Sequence, residues 1–236
     1  MLQNKKMVII FRCFIIFNMK KWPLLLIIPL ILCSLAFKFE PVNNFPLFGK
    51  FIILDPGHGS DDPGSVFKDE YEKDYNLDFA RTLSDVLTEY GATVILTRDG
   101  DYDLSKPNAQ NRKRSDFDNR IKLINEDKPN LYLSLHMNYL NSSKYYGAQA
   151  FYSKVNPQNE RLASITQKHM NEFFSFDKDY KKIGSDKYMF GKIEVPGILL
   201  EYGFMSSYKD RENLKGESYR RDLSTAIANS LVEYFT

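Results

Sequence analysis

Beyond its first 37 residues the chain has no cysteine at all, since Cys13 and Cys33 are the only two in 236 residues. The remainder therefore forms no disulfide and offers no thiolate to a metal, and its core alone must hold it. Acidic residues are missing from the same N-terminal stretch, which carries Lys5, Lys6, Arg12, Lys20 and Lys21 with no Asp or Glu. That leaves 27 of the 32 basic residues against all 30 acidic ones, a net of −3 where the whole chain has +2. Such a balance does not attract nucleic acid. Histidine is limited to His58, His136 and His169, no HExxH motif occurs, and no internal repeat or low-complexity tract is visible.

What is present bounds the class. With 43% hydrophobic and 14% aromatic residues, the chain has the composition of a folded protein and the length of one large α/β domain. The stretch MKKWPLLLIIPLILCSLAF (19–37) has a basic start and an apolar run from Trp22 to Phe37. Those 16 residues fall short of the ~20 that span a bilayer comfortably, and Ser34-Leu35-Ala36 has the small-x-small form that signal peptidase accepts. Export is expected, with residues 1–37 either cleaved as a signal or kept as a membrane anchor. Met19 is a second candidate start, because MVIIFRCFIIFN (7–18) is interrupted by Arg12. Leu32 is bulkier than the residue that precedes a lipid-anchor cysteine, which argues against that role for Cys33. Residues 38–50, KFEPVNNFPLFGK, read as a linker, and residues 51–236 as a single catalytic domain.

Inside that domain apolar strands alternate with helical periods. Strands are expected at 51–54, 93–97, 131–135, 148–152 and 197–201. Helices are expected near 74–90 (Leu77, Ala80, Leu83 and Leu87 on one face, Gly91 as the stop), 116–126, 159–174 and 219–234. The pattern predicts an α/β fold with a mostly parallel, twisted sheet and helices on both faces.

Ligands of open α/β sheets bind beyond the carboxyl ends of the strands, so the residue on which each strand ends is informative. The first runs through Asp55 into Gly57-His58-Gly59, LYLSL ends at His136, and GILL ends at Glu201. Two imidazoles and a carboxylate thus reach one edge from strands far apart in sequence. Glu72 stands at a helix start, where the helix dipole favours a carboxylate. His58, Glu72 and His136 make a donor set suited to Zn²⁺ with a fourth position for water. Taken singly, a loop histidine can equally be solvated and Glu72 can be a helix-start charge.

The segments ILDPGHGSDDPG, EKDYNLDFAR, GATVILTRDGD, NRIKLINEDKPNLYLSLHMN and PGILLEYGFMSS, in that order, resemble the zinc-dependent N-acetylmuramoyl-L-alanine amidase family across residues 51–236. The resemblance implies peptidoglycan as substrate, hydrolysis of the amide between N-acetylmuramic acid and L-alanine, Zn²⁺ on His58, Glu72 and His136, and Glu201 as the catalytic carboxylate. One N-terminal export segment without cell-wall-binding repeats is similar to the germination-specific members from spore-forming bacteria, which implies work on spore cortex. An accessory protein is left open. Ser206-Ser207 and Met137 depart from the family pattern without touching a ligand position, and the segment between AFYS and PGILLE is too short for a long inhibitory insertion. Two other readings are a peptidoglycan-binding module that does not cut, and a zinc peptidase acting within the stem peptide. His169, in register with Leu162, Ile165 and Phe173, reads as a packing residue. Arg98, Asp101, Arg120 and Asn125 read as loop-orienting residues, and Tyr145, Tyr146, Tyr188 and Phe190 as core or interface aromatics rather than sugar-stacking platforms.

Overall fold

The computed structural model describes residues 45–175, 180–185 and 187–236. The expected export segment 1–37 lies outside them. Among the described residues no helix is long and apolar enough to cross a membrane.

Strand β1 (Phe51–Pro56) leads through a two-stranded hairpin, β2 (Val66–Phe67) and β3 (Glu70–Tyr71), into helix α1 (Glu72–Glu89). There follow β4 (Thr93–Leu96), α2 (Arg112–Asp127), β5 (Leu131–Asn138), β6 (Gln149–Tyr152) and α3 (Asn159–Phe174). The chain ends with β7 (Ile183–Gly184), β8 (Gly197–Phe204), α4 (Tyr208–Lys215) and α5 (Glu217–Phe235). The main sheet has the order β4-β1-β5-β8-β6-β7. Strands β4, β1, β5 and β8 run parallel, β6 pairs antiparallel with β8, and β7 parallel with β6.

The central strands are apolar on both faces because both are covered. Ile52, Leu54, Leu133 and Leu200 face one core with Leu83 of α1, Leu162 of α3 and Ile227 of α5. Ile53, Tyr132 and Leu199 face a second with Ile121 and Ile124 of α2 and the 189–193 segment. The expected α1 face is buried, and the helix stops where Gly91 takes φ +94°, a left-handed angle that costs glycine little.

The linker boundary needs correction. Residues 45–50 belong to the domain: Leu47 is fully buried, its N–H donates to Tyr90 O at 2.8 Å, and Phe45 packs where a Cβ on Gly91 would fall. Helix α2 begins at Arg112, four residues before its expected start. Its first turn is polar and carries no apolar period, and Asn111 caps it by accepting from Arg114 N at 2.9 Å. Strands β5 and β8 each run three residues past the expected end, because their ladder continues beyond His136 and Glu201 to pair Asn138 with Phe204. The hairpin β2–β3, the short β7 and the polar helix α4 were not legible in the pattern.

Candidate metal centre and catalytic cleft

The turn after β1, the carboxyl halves of β5 and β8, and the start of α1 build the site. After β1 the chain turns through His58 with φ +64°, a left-handed conformation that costs a non-glycine residue energy and persists only where the surroundings fix it. Arg120 Nη2 donates to His58 O at 2.8 Å, and Gly59 and Asp62 exchange backbone hydrogen bonds of 3.0 Å. Arg98 holds the same turn, donating to Pro56 O at 3.0 Å and to Gly57 O and Lys73 O at 2.9 and 2.8 Å. A Cβ on Gly57 would fall 2.1 Å from His136 Cε1, so the absence of a side chain there lets the imidazole lie against the turn.

His136 sits on β5, in register with Glu201 on β8. Glu72 is the first residue of α1, rather than preceding it, and is 3% exposed. Its Oε1 lies 3.0 Å from His136 Nδ1 and 3.1 Å from His58 Nε2, and accepts from Met137 N at 3.1 Å. Oε2 accepts from Ser65 N at 2.8 Å. One donor atom from each of His58, Glu72 and His136 lies within 4.8 Å of the others, and the two rings stand edge to face at 4.9 Å. Burial raises the Glu72 pKa, but hydrogen bonds from His136 and His58 overcome that and hold the carboxyl far below its ordinary range. For His58, burial pulls downward while Asp62 and Glu72 prevail and push it up to about 9. Asp62 Oδ2 approaches His58 Nδ1 to 3.0 Å, although off the line of a good hydrogen bond, so Nδ1 has no in-line partner. Two imidazole nitrogens and a carboxylate oxygen converging on one point match the donor chemistry of a metal site with an open position.

Glu201 is 6% exposed, and its Oε2 has no hydrogen-bond partner. Its Oε1 is 3.8 Å from Lys187 Nζ. Burial raises its pKa, the histidine charge of His136 opposes this, and Glu72 adds to it. All four residues line one open cleft of about 610 Å³, with Met137, Tyr139, Lys113, Tyr188 and Phe190 among its walls.

A buried polar network supports the floor. Asp55 accepts from Arg120 Nη1 at 2.6 Å, Thr97 Oγ1 at 2.7 Å and Ser134 Oγ at 2.9 Å. Burial disfavours its charge, yet Arg120 and the two hydroxyls outweigh that and keep the pKa low. Asn76 donates to Gly57 O at 3.3 Å and accepts from Tyr202 OH at 2.9 Å. Arg98, Arg120 and Asn125 therefore orient loops, Asn125 through Lys192 O and Glu194 N, and Asp101 accepts from Ser60 N and Lys73 Nζ. His169 is not brought to the site: it packs between α3 and α5, with Nε2 2.8 Å from Glu233 Oε2. Phe190 is buried in the second core, Tyr145 stacks on Phe204, and Tyr188 forms part of the cleft wall. Ser207 caps α4, and Ser206 Oγ accepts from Leu140 N at 3.3 Å. Asp62 was missed as a neighbour of His58, because a four-residue approach across a left-handed turn leaves no periodic trace.

A mostly parallel α/β sheet that gathers a metal-type donor set and a buried carboxylate with one oxygen free of hydrogen bonds in one cleft is the arrangement of a hydrolytic enzyme. Residues 52–233 match the profile described as N-acetylmuramoyl-L-alanine amidase, and the chain belongs to that family. It is 34% identical over 226 residues to the germination-specific N-acetylmuramoyl-L-alanine amidase of Bacillus subtilis, covering 92% of this chain and 95% of the relative. Among solved structures it resembles the CwlD amidase of Clostridioides difficile in complex with the GerS lipoprotein, with a TM-score of 0.72, 32% identity, and coverage of 79% of this chain and 98% of that one. It also resembles the catalytic domain of CwlV, an N-acetylmuramoyl-L-alanine amidase from Bacillus (Paenibacillus) polymyxa var. colistinus. There the TM-score is 0.67, the identity 25%, and the coverage 79% and 98%. Peptidoglycan as substrate fits this family.

Proposed function

We propose that residues 45–236 form a zinc-dependent N-acetylmuramoyl-L-alanine amidase domain in which His58 Nε2, Glu72 Oε1 and His136 Nδ1 hold the metal and Glu201 moves the proton. The observation that carries this reading is the buried Glu201 Oε2 without a hydrogen-bond partner, in a cleft it shares with those three donors. The donors fit zinc in kind and number, and the left-handed His58 turn with its bare Gly57 keeps them together. When bound, zinc supplies Lewis-acid activation of water and of the amide carbonyl.

The rest of the chemistry belongs to the chain. Glu201 accepts a proton at Oε2 from the attacking water and returns it to the departing L-alanine nitrogen. Its raised pKa suits a group that must both take and give a proton. Arg120, through His58 O and Asp55, keeps the first imidazole in its strained turn. Tyr188 and Phe117, stacked 6.5 Å apart, shape one wall against which substrate lies.

The domain acts outside the cytoplasmic membrane, exported or anchored by residues 1–37, and serves spore cortex maturation or germination. Similarity to the Bacillus subtilis germination-specific amidase supports that role. A lipoprotein partner follows by analogy with the Clostridioides difficile complex. The test is digestion of purified peptidoglycan by the protein after chelation and after zinc restoration. The reading requires new L-alanine amino termini in the zinc-loaded sample alone. New amino termini from residues further along the stem instead mean a peptidase, and binding without release means a module that does not cut.

A further inference from the structure

Although residues 38–236 carry more acidic than basic side chains, the cleft is lined by two exposed lysines. Lys113 and Lys187 both line the cleft, with side chains 61% and 57% exposed. Around Tyr188, which also lines the cleft, Arg114 lies with its guanidinium carbon 3.6 Å and Lys192 with its ammonium 4.7 Å from the ring centre. Asp118 faces this group, accepting from Tyr188 OH at 2.6 Å and Arg114 Nε at 3.2 Å. Among the described residues the carboxylates that approach the two lysines do so at long range: Lys113 stands 3.7 Å from Asp62, and Lys187 3.8 Å from Glu201. Asp62 is already turned to His58.

The placement runs against local stability. Arg112, Lys113 and Arg114 occupy the first turn of α2, which has no acidic residue, and cations at the positive end of a helix cost a few tenths of a kcal/mol or more each. Arg112 is offset by Asp103 and Asp61. Among the described residues Lys113 has no comparable compensation, and a side chain that breaks a local rule beside a site is a candidate for function.

The substrate's charge is unevenly distributed. Once the lactyl carboxyl of N-acetylmuramic acid is tied up in the amide, the N-acetylated glycan is neutral. The stem peptide is not: after L-alanine comes a glutamyl residue linked through its side chain, whose α-carboxylate is free unless amidated. We propose that the part of the cleft lined by Lys113 and Lys187 receives the stem peptide and that these two ammonium groups pair with this α-carboxylate, making them specificity-determining residues. The inference rests on the amidase reading above.

The test compares two soluble substrates, N-acetylmuramoyl-L-alanyl-γ-D-glutamyl-L-lysine and its α-amidated counterpart, in both of which the γ-carboxyl is tied up in a peptide bond, using the zinc-loaded protein. The ratio of their kcat/KM values cancels any effect of a substitution on the shared chemical step. Wild-type protein should prefer the free acid by about tenfold or more, through KM, at about fivefold for each half-exposed ion pair. The preference should shrink with salt. Lys113→Gln/Lys187→Gln should bring the ratio close to one, and Lys113→Glu/Lys187→Glu should favour the amide. An unchanged ratio in these variants overturns the proposal, even if they lose affinity for other anions such as wall-polymer phosphates. Failure of the wild-type protein to cut either substrate overturns the amidase reading instead.

Discussion

Replacing Gly57 by alanine puts a methyl group where the His136 ring now lies. The added Cβ would stand 2.1, 2.4 and 2.6 Å from Cε1, Nε2 and Nδ1 of that ring, against about 3.5 Å for an unstrained contact. The ring must therefore withdraw by roughly 1.4 Å. Gly57 does not use the left-handed region, so alanine is not strained by its own backbone. His136 borders the open cleft, which gives the ring somewhere to go without disturbing the sheet. The fold should survive while the donor set does not, because zinc ligands tolerate displacements of only about 0.2 Å. Losing a supporting residue costs metal affinity about 10–100-fold, and displacing a ligand itself should cost at least about 100-fold. Zinc titration against a competing chelator measures this, with a circular-dichroism melt on the same sample. Wild-type zinc affinity in a folded Gly57→Ala protein would refute the reasoning.

Arg120→Met leaves Asp55 charged in a buried site and frees His58 O, and should destabilise the protein by about 3–5 kcal/mol in urea unfolding; a loss under about 1 kcal/mol contradicts the structural role given to this network. Asp62→Asn should fold normally and bind zinc about 10–100-fold more weakly, since the approach to His58 Nδ1 orients that ring; chelator competition reads it, and unchanged affinity removes Asp62 from the site. Asp210 should make stability depend on pH, because burial, opposed by hydrogen bonds from Gly147 N and Phe204 N, pushes its pKa from 3.8 up to about 6. A carboxyl with a raised folded-state pKa binds its proton more tightly when folded, so the cost of its charge is present above pH 6 and relieved as pH falls toward 4. Relative to wild type, Asp210→Asn should therefore gain up to about 3 kcal/mol in urea unfolding between pH 4 and pH 7, and a pH-independent difference would contradict the buried charge. If the domain is exported as proposed, protease added to intact protoplasts should degrade it, whereas protection until lysis would reject that topology.

Legibility in the sequence followed the physics of each element. Strands β1, β5 and β8 could be read because their apolar runs break at or just before polar residues of the cleft, although β5 and β8 themselves continue past His136 and Glu201. Helix α1 was clear because Leu77, Ala80, Leu83 and Leu87 repeat at helical spacing and Gly91 stops it. Helix α4 left no such trace: it buries only Asp210, Arg211 and Leu214, and its position depends on polar contacts such as Asp210 with Phe204 N. Residues 45–50 read as a linker from their proline, asparagine and glycine, whereas the burial of Leu47 depends on the far end of α1. The approach of Glu72 to both histidines was foreseeable as a donor set but not as geometry. It requires the left-handed angle of His58 and the bare Gly57, and a sequence pattern encodes neither.

The central claim is that Glu201 moves the proton and does not hold the metal. Glu201→Gln preserves shape and most hydrogen-bonding reach but cannot accept the water's proton. Zinc per chain and the rate of L-alanine amino-terminus release from peptidoglycan, measured on one preparation of this variant, test the claim directly. The account predicts unchanged zinc and a rate lowered by about 10²–10⁴; a near-normal rate, or the loss of zinc together with activity, would contradict it.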